Sequence, residues 1–375
     1  MRSTLRGMDL PRRKGTLMTR LLLSCALLLA ATAHGQRYFF ENIGVQEGLP
    51  ASKVYATLQD GYGLVWIGTE AGLASYDGNT VVNHGTQEGV APNGGRSLML
   101  DKNGHLWVGH LDGGITHYDG SRFRAYHLGS DMHSAITGLV QDQDGAIWAC
   151  TAGHGAFKFK ELPEEGDRIE AIRFAEDNGV EQVLLNIVSL SDGRICVVED
   201  RGTLRALEPG KDRFVELKLP GWQELFSCNN IHQDSRGAIW LATRGGGAFK
   251  LEGGKVVQYS PANGLGSGSV YCFGEDNEGR IWVGTIDGGL SLIGKDGVRS
   301  FSKANGLHST FIRCIGRDRE GNLLIGTNDN GLDIFKGARF VSFGTEDGLT
   351  DPQGWAVAEG DGGGPWVRTN GGIGT

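Results

Sequence analysis

Beyond residue 35 the sequence holds no apolar run near the roughly 20 residues that a membrane-spanning helix requires, so the body of the chain has no helical span. Neither a G-x-S-x-G elbow nor an H-E-x-x-H pair occurs, which removes the commonest serine-hydrolase and zinc-protease signatures. The glycine triplets Gly245-Gly246-Gly247 and Gly362-Gly363-Gly364 do not precede a helix, so they are not phosphate-cradling loops. Helical periodicity is missing as well. Of the six cysteines, five lie beyond residue 35: Cys150, Cys196, Cys228, Cys272 and Cys314 show no C-x-x-C or Cys/His metal spacing, and five is odd, so neither a zinc site nor a disulfide framework is implied. Each falls in an expected inner strand, where a free cysteine serves as a small buried hydrophobe. Basic residues are the minority, 36 Lys and Arg against 44 Asp and Glu. That balance argues against nucleic acid or an anionic membrane as partner.

What is present begins with an export signal in residues 1–35. Arg20 precedes the apolar run Leu21 to Ala30, and Ala33-His34-Gly35 reads as a small-x-small cleavage site before Gln36. The polar lead before it contains Met8 and Met18, and Met18 is the expected start. The mature chain is then periplasmic or secreted. Without residues 1–35 it carries 30 basic against 43 acidic residues.

The rest is one sentence repeated. DGYGLVWIGT from Asp60 returns as DKNGHLWVGH from Asp101, DQDGAIWACT from Asp142, DSRGAIWLAT from Asp234, DNEGRIWVGT from Asp276 and DREGNLLIGT from Asp318. Aligned on the tryptophan, the cores fall at Trp66, Trp107, Trp148, Cys196, Trp240, Trp282, Leu324 and Trp366, with spacings of 41, 41, 48, 44, 42, 42 and 42 residues. That is the ~40–45-residue period of a four-stranded propeller blade. Within a unit, strand Val270–Phe273, a D-x-x-G turn, strand Ile281–Val283, the hairpin Asp287-Gly288-Gly289, strand Leu290–Ile293 and edge strand Val298–Phe301 follow in order. The recurring indole is expected to pack between neighbouring blades. The unit around Cys196 lacks the tryptophan and follows an acidic insertion, Glu161 to Arg168, so loose packing is expected there.

Closure is legible too. Phe40-Glu41-Asn42-Ile43 before Glu47-Gly48-Leu49 matches Phe340-Val341-Ser342-Phe343 before Asp347-Gly348-Leu349, 300 residues later. The N-terminal strand is therefore expected as the outer strand of the Leu324 blade, which removes the open edges of the ring. The fold class is an all-β propeller of four-stranded blades over residues 36–343, seven-bladed, with residues 344–375 opening an eighth repeat or a second propeller. An eight-bladed ring is the alternative.

Units of this form resemble the two-component regulator propeller repeats in the periplasmic sensor region of bacterial two-component and hybrid sensor histidine kinases. The match is carried by Asn263-Gly264-Leu265 with Ile281-Trp282-Val283-Gly284-Thr285, and by Glu47-Gly48-Leu49 with Val65-Trp66-Ile67-Gly68-Thr69. The resemblance implies an extracytoplasmic, non-catalytic ligand-sensing propeller, followed in the family by a second propeller, an immunoglobulin-like linker, a membrane helix and a histidine kinase. None of those later parts is read here, so the chain is expected to be the truncated sensor half of such a protein. The resemblance makes a glycan a plausible ligand class.

Five positions before each turn Asp, the innermost strand begins with Tyr55, Arg96, Thr137, Leu185, Asn229, Tyr271, Arg313 and Trp355. These positions converge near the axis of a propeller, where rings stack and guanidinium groups donate in a fork to a polar ligand. Tyr55, Arg96, Asn229, Tyr271, Arg313 and Trp355 are the candidate ligand-binding residues, and solvation of a channel rim is the bland alternative. The repeated Asp caps its own turn, because the stretch is too short for a ~12-residue calcium loop. His105, His110, His117 and His127 are expected as solvated strand positions. No catalytic residue, metal ligand or cofactor is expected. Asp112 and Asp287, the carboxylates that a secreted glycan lyase or hydrolase would need, sit where hairpin chemistry already accounts for them. A protein-interaction platform is the third class, and a homodimer is compatible with the sequence.

Overall fold

The computed structural model describes residues 39–129, 132–220, 226–337, 349–351, 353–359 and 365–374. The export signal, Phe340–Phe343, Asp347-Gly348, Gly362–Gly364 and the 343/344 boundary lie outside them. Short β-branched and aromatic runs between Gly and Asp turns build antiparallel strands and no α-helix among the described residues. Apart from β1 (Phe40–Ile43), the strands of residues 39–337 pair in sequence order. The first sheet is β2 (Val54–Gln59), β3 (Val65–Thr69), β4 (Leu73–Tyr76) and β5 (Val81–His84). The second is β6 (Gly95–Leu100), β7 (Leu106–His110), β8 (Gly114–Tyr118) and β9 (Phe123–His127). The third is β10 (Ile136–Gln141), β11 (Ile147–Thr151), β12 (Ala156–Phe159) and β13 (Ile172–Phe174). The fourth is β14 (Leu184–Ser189), β15 (Ile195–Glu199), β16 (Leu204–Leu207) and β17 (Val215–Glu216). The fifth is β18 (Cys228–Gln233), β19 (Ile239–Thr243), β20 (Ala248–Glu252) and β21 (Lys255–Tyr259). The sixth is β22 (Val270–Glu275), β23 (Ile281–Thr285), β24 (Leu290–Gly294) and β25 (Gly297–Phe301). In the seventh, β26 (Ile312–Arg317), β27 (Leu323–Thr327) and β28 (Leu332–Phe335) are completed by β1, which pairs antiparallel with β28 from Phe40 opposite Phe335 to Ile43 opposite Leu332.

The first strands are neighbours in succession, β2 to β6 to β10 to β14 to β18 to β22 to β26, and β26 lies beside β2 again. The architecture is an all-β propeller. A separate compact unit holds β29 (Gly354–Glu359), β30 (Pro365–Thr369) and β31 (Gly372–Gly374), paired in that order.

The core lies between sheets. Trp66 packs with Leu106, Val108 and Phe123 of the second sheet, and Trp107 with Ile136, Ile147 and Phe157 of the third. Trp148 meets Leu184, Ile195 and Phe214, Trp240 meets Val270 and Ile281, and Trp282 meets Ile312, Leu323 and Phe335. Leu324 closes the series against Val65, Ile67 and Tyr76 of the first sheet. The loose packing expected around Cys196 is not found. Ile195, Cys196, Val197 and Val198 are all buried, because small aliphatic residues let the neighbouring sheet approach where no indole fills the gap. The degeneracy appears instead at the edge, where β17 has two residues. The acidic insertion is pinned at its end as well, since the His127 N–H donates to the Asp167 carbonyl at 2.8 Å, and Ile169, which follows the insertion, donates to the His127 carbonyl at 2.9 Å with its side chain buried beside Trp107.

Two repeated side chains hold the turns. In the D-x-x-G turn, one Asp142 oxygen accepts the Ala146 N–H at 2.8 Å and the other the Trp148 indole N–H at 2.9 Å. The same indole bond occurs at Asp60, Asp101, Asp234 and Asp276, so the turn-capping expectation holds. At the next hairpin the buried hydroxyls of Thr69, Thr151, Thr243, Thr285 and Thr327 donate to a glycine carbonyl.

Candidate functional site

In each of the seven sheets the first strand is kinked at the same place. The ladder between first and second strand skips from Val54 to Ala56, Gly95 to Ser97, Ile136 to Gly138, Leu184 to Asn186, Cys228 to Asn230, Val270 to Cys272 and Ile312 to Cys314. The skipped residues are Tyr55, Arg96, Thr137, Leu185, Asn229, Tyr271 and Arg313. A β-bulge leaves its extra residue out of the ladder and re-aims the side chain. All seven line one central cavity of about 370 Å³. Of the six candidate ligand residues, Tyr55, Arg96, Asn229, Tyr271 and Arg313 are thus brought together. Trp355 occupies the equivalent bulge of β29 in the separate unit, where its exposed indole donates to Asn370 Oδ1 at 2.6 Å.

The wall is cationic and aromatic. The Tyr55 ring lies within 4.8 Å of the Arg96 guanidinium carbon and 5.2 Å of that of Arg313. Arg313 also stands 4.7 Å from the Phe311 ring and 5.6 Å from the Tyr271 ring, and those two rings meet edge to face at 5.3 Å. Its Nε donates to Asn328 Oδ1 at 2.8 Å and its Nη1 to the Tyr271 hydroxyl at 3.3 Å. A third guanidinium, Arg244, donates to Asn229 Oδ1 at 2.7 Å, while the Asn229 amide donates to the Val270 carbonyl at 3.0 Å. The Arg96, Arg244 and Arg313 charges therefore meet rings and neutral amides. Among the described residues, none forms a salt bridge and no carboxylate lines the cavity. Thr137 is committed to structure, donating to the Leu184 carbonyl at 2.7 Å. Asn186 adds a buried amide oxygen without a hydrogen-bond partner among the described residues.

Arg244 and Asn186 were not singled out by their sequence positions. Arg244 directly follows the buried Thr243, and its N–H donates to the Ser227 carbonyl just ahead of β18. Every sheet makes the equivalent bond, through Glu70, Leu111, Ala152, Asp200, Arg244, Ile286 and Asn328. This column stands beside the bulge column and was a findable signal. Glu70 in it is paired with Lys53.

The cysteines in and behind this wall are held as neutral thiols. Burial pushes the Cys150 and Cys314 thiols up to about 12. Asp112, the hairpin carboxylate, accepts from Asn93 Nδ2 at 2.7 Å and from the Gly114 N–H at 3.2 Å.

Of the four histidines expected as solvated positions, His110 is buried and His105, His117 and His127 are half-buried. His110 is fully buried because it replaces the hairpin threonine of five other repeats, and its Nε2 lies 2.8 Å from Thr116 Oγ1. His127 Nε2 meets Asp167 of the insertion at 3.2 Å. His117 is held against Trp107 by strand register, and its Nε2 lies 3.1 Å from His105 Nδ1.

Comparison with known proteins follows from this geometry. Residues 48–71, 264–287 and 306–329 match the family model described as Two component regulator propeller. No curated protein matches the sequence. Among solved structures, the extracellular domain of the hybrid two component system BT3049 from B. thetaiotaomicron is similar at TM-score 0.64 and 15% identity, covering 90% of this chain and 53% of that one. The extracellular domain of the hybrid two component system BT4673 from the same organism gives 0.63 and 22%, covering 90% and 45%. The virginiamycin B lyase from Staphylococcus aureus gives 0.60 and 12%, covering 80% and 99%. At these identities the likeness is one of fold. The chain spans about half the length of the two extracellular domains.

Proposed function

We propose that this chain, which carries two-component regulator propeller repeats, is the extracytoplasmic ligand-sensing propeller of a two-component signalling protein and is not itself an enzyme. In this reading the ring is seven-bladed and closed by β1, the 349–374 sheet opens a further repeat or a second propeller, and residues 1–35 direct export. The ligand is a small polar molecule or a glycan held at the central cavity by Tyr55, Arg96, Asn229, Tyr271 and Arg313.

One observation carries the reading: seven bulges direct their extra residues into a single cavity holding three guanidinium groups and no lining carboxylate among the described residues. Three cations in a net acidic protein attract negative charge, and the planar fork of arginine suits carboxylate or sulfate. Tyr55 and Tyr271 supply faces for a sugar or other flat ring. The ligand selected is therefore an acidic one with an apolar face, such as a uronic-acid or sulfated oligosaccharide.

The test is calorimetry and thermal shift with a panel of acidic and neutral oligosaccharides on the full chain. Acidic members should raise the melting temperature of the wild type, and Arg96→Ala and Arg313→Ala should abolish the rise, while Lys295→Ala on the surface leaves it intact. Release of a shortened or unsaturated product would instead make the protein a lyase or hydrolase. No response to any member would leave the face to a protein partner.

A further inference from the structure

We propose that Asp101, His105 and His117 form a binding site for one divalent transition-metal ion of the zinc class on the second sheet. This site lies outside the central cavity and does not depend on the reading given for it. One carboxylate oxygen and two imidazole nitrogens lie within 4.8 Å of one another. The nitrogens, His105 Nδ1 and His117 Nε2, are 3.1 Å apart, and His105 Nδ1 is 3.8 Å from Asp101 Oδ2. Two ligand atoms bound to zinc at ~2.1 Å and a tetrahedral angle stand about 3.4 Å apart. The two measured separations bracket that value, the third pair stands no farther apart than 4.8 Å, and the His105 side chain, about one-third exposed, is free to adjust so that the three atoms share an ion.

The repeat itself separates this cluster from ordinary turn chemistry. The Asp and its indole bond recur in five sheets, so they need no histidine. The position four residues after the Asp is Leu64, His105, Ala146, Ala238, Arg280 and Asn322 in successive D-x-x-G repeats. The position opposite the Trp, or opposite Leu324, on the third strand is Ser75, His117, Lys158, Lys250, Leu292 and Ile334. Where Lys158 or Arg280 sits, it neutralises its Asp directly. Only in the second sheet are both places taken by imidazoles, which bind a borderline-soft cation at neutral pH.

The surroundings suit an ion. Asp101 is oriented for it: Oδ1 accepts the Asn103 and His105 N–H groups at 2.9 and 3.0 Å, and Oδ2 takes the Trp107 indole N–H at 3.1 Å. Such outer bonds fix a metal ligand and raise its affinity. Arg124, paired with His117 across the sheet, lies over the Tyr126 ring at 5.3 Å. His105 is about one-third exposed, so a water from solvent would complete the coordination. Nitrogen donors favour zinc, copper or nickel over calcium or magnesium, which take oxygen ligands.

The test is isothermal titration of the tag-free full chain with zinc chloride, with calcium and magnesium chlorides as comparison salts. The expected result is one equivalent of zinc bound at micromolar Kd and no calcium or magnesium signal. His105→Ala should weaken zinc by at least about tenfold, as should His117→Ala, whereas His133→Ala, at an exposed histidine, should leave it unchanged. Cobalt should give a visible absorption band that His105→Ala removes, a readout independent of stability. Absence of a one-equivalent zinc signal in the wild type, equal affinity for calcium, or unweakened binding in His105→Ala would overturn the proposal.

Discussion

Asn42 Nδ2 donates to Asp333 Oδ1 at 2.8 Å, joining residues 291 positions apart across the seam where β1 meets β28. The same amide donates to the Asn330 carbonyl at 2.7 Å. Asp333 is fully buried, and also accepts from the His308 N–H at 3.0 Å and meets its Nδ1 at 2.7 Å. Burial pushes the Asp333 carboxyl above the ordinary range, and the bonds from Asn42 and His308 offset only part of that rise. Asn42→Ala strands buried acceptors and should cost about 1–3 kcal/mol. Urea unfolding should show a lower midpoint with an unchanged slope.

Gly331 guards the same seam. Its φ is +76°, and a Cβ there would stand 2.2 Å from the Ile43 carbonyl oxygen. Gly331→Ala therefore meets the left-handed backbone penalty of about 1–2 kcal/mol and also pushes on β1. The expected outcome is faster amide exchange confined to Phe40–Ile43 and β28, read by hydrogen-exchange mass spectrometry. Unchanged exchange in both strands would show that the seam tolerates the added methyl.

Two of the Asp–Trp pairs, at Asp142 and Asp276, should make the ring acid-sensitive. Burial raises the Asp142 carboxyl, but the Trp148 indole, the Lys158 ammonium 3.1 Å away and the Ala146 N–H outweigh it, and the pKa falls below the ordinary value. Asp276 is lowered in the same way by Arg280 and Trp282. For a carboxylate depressed on folding, the stabilisation is fully present above the unfolded pKa and is lost as pH falls through the folded one. Asp142→Asn should lower stability by about 1–3 kcal/mol at pH 7. The gap to the wild type should close below pH 3.8, the ordinary carboxylate value. Thermal melts across pH 2 to 7 measure it.

Much of this fold is legible because its devices recur in most repeats. The Trp spacing, the D-x-x-G turn and the echo of Phe40–Ile43 are marked by residue type, and each meets the contact it implies. The bulge is not so marked. It is a register relation between two strands, and the residues it releases, from Leu185 to Arg313, share a place and no chemistry. Aligning the repeats still locates the column, since position is what a repeat preserves. Arg244 escaped because its own column runs from Glu70 through Ala152 to Asn328. His105 and His117 are 12 residues apart, and only the pairing of β7 with β8 brings them together.

The cysteines should be silent until the ring opens. Cys150, Cys196 and Cys272 are buried and free, and burial holds the Cys196 thiol at about 12. Since the thiolate is the reactive form, a disulfide reagent at pH 7.5 should label the native protein negligibly over minutes. In denaturant all thiols should react at once. Rapid native labelling of Cys272 or Cys314, which line the central cavity, would mean that the wall opens on that timescale.

The cavity arginines differ in what they hold, and that separates binding from packing. Arg96 lies over Tyr55 at 4.8 Å, while Arg313 is also tied to Asn328 and Tyr271. Arg96→Gln should therefore leave the melting temperature of the free protein within about a degree, since exposed or half-exposed cation–ring contacts contribute only about 0.5–1 kcal/mol. Arg313→Gln should lower it further, by the loss of a bond of roughly 1–3 kcal/mol. Toward an acidic oligosaccharide the two should weaken affinity alike, by about tenfold or more, because each removes one charge-assisted contact. Raising the ionic strength from 50 to 500 mM should weaken wild-type binding and narrow the difference among the three proteins. Calorimetry at both salt concentrations decides it, and an affinity indifferent to salt and to both substitutions would remove charge from the recognition at this mouth.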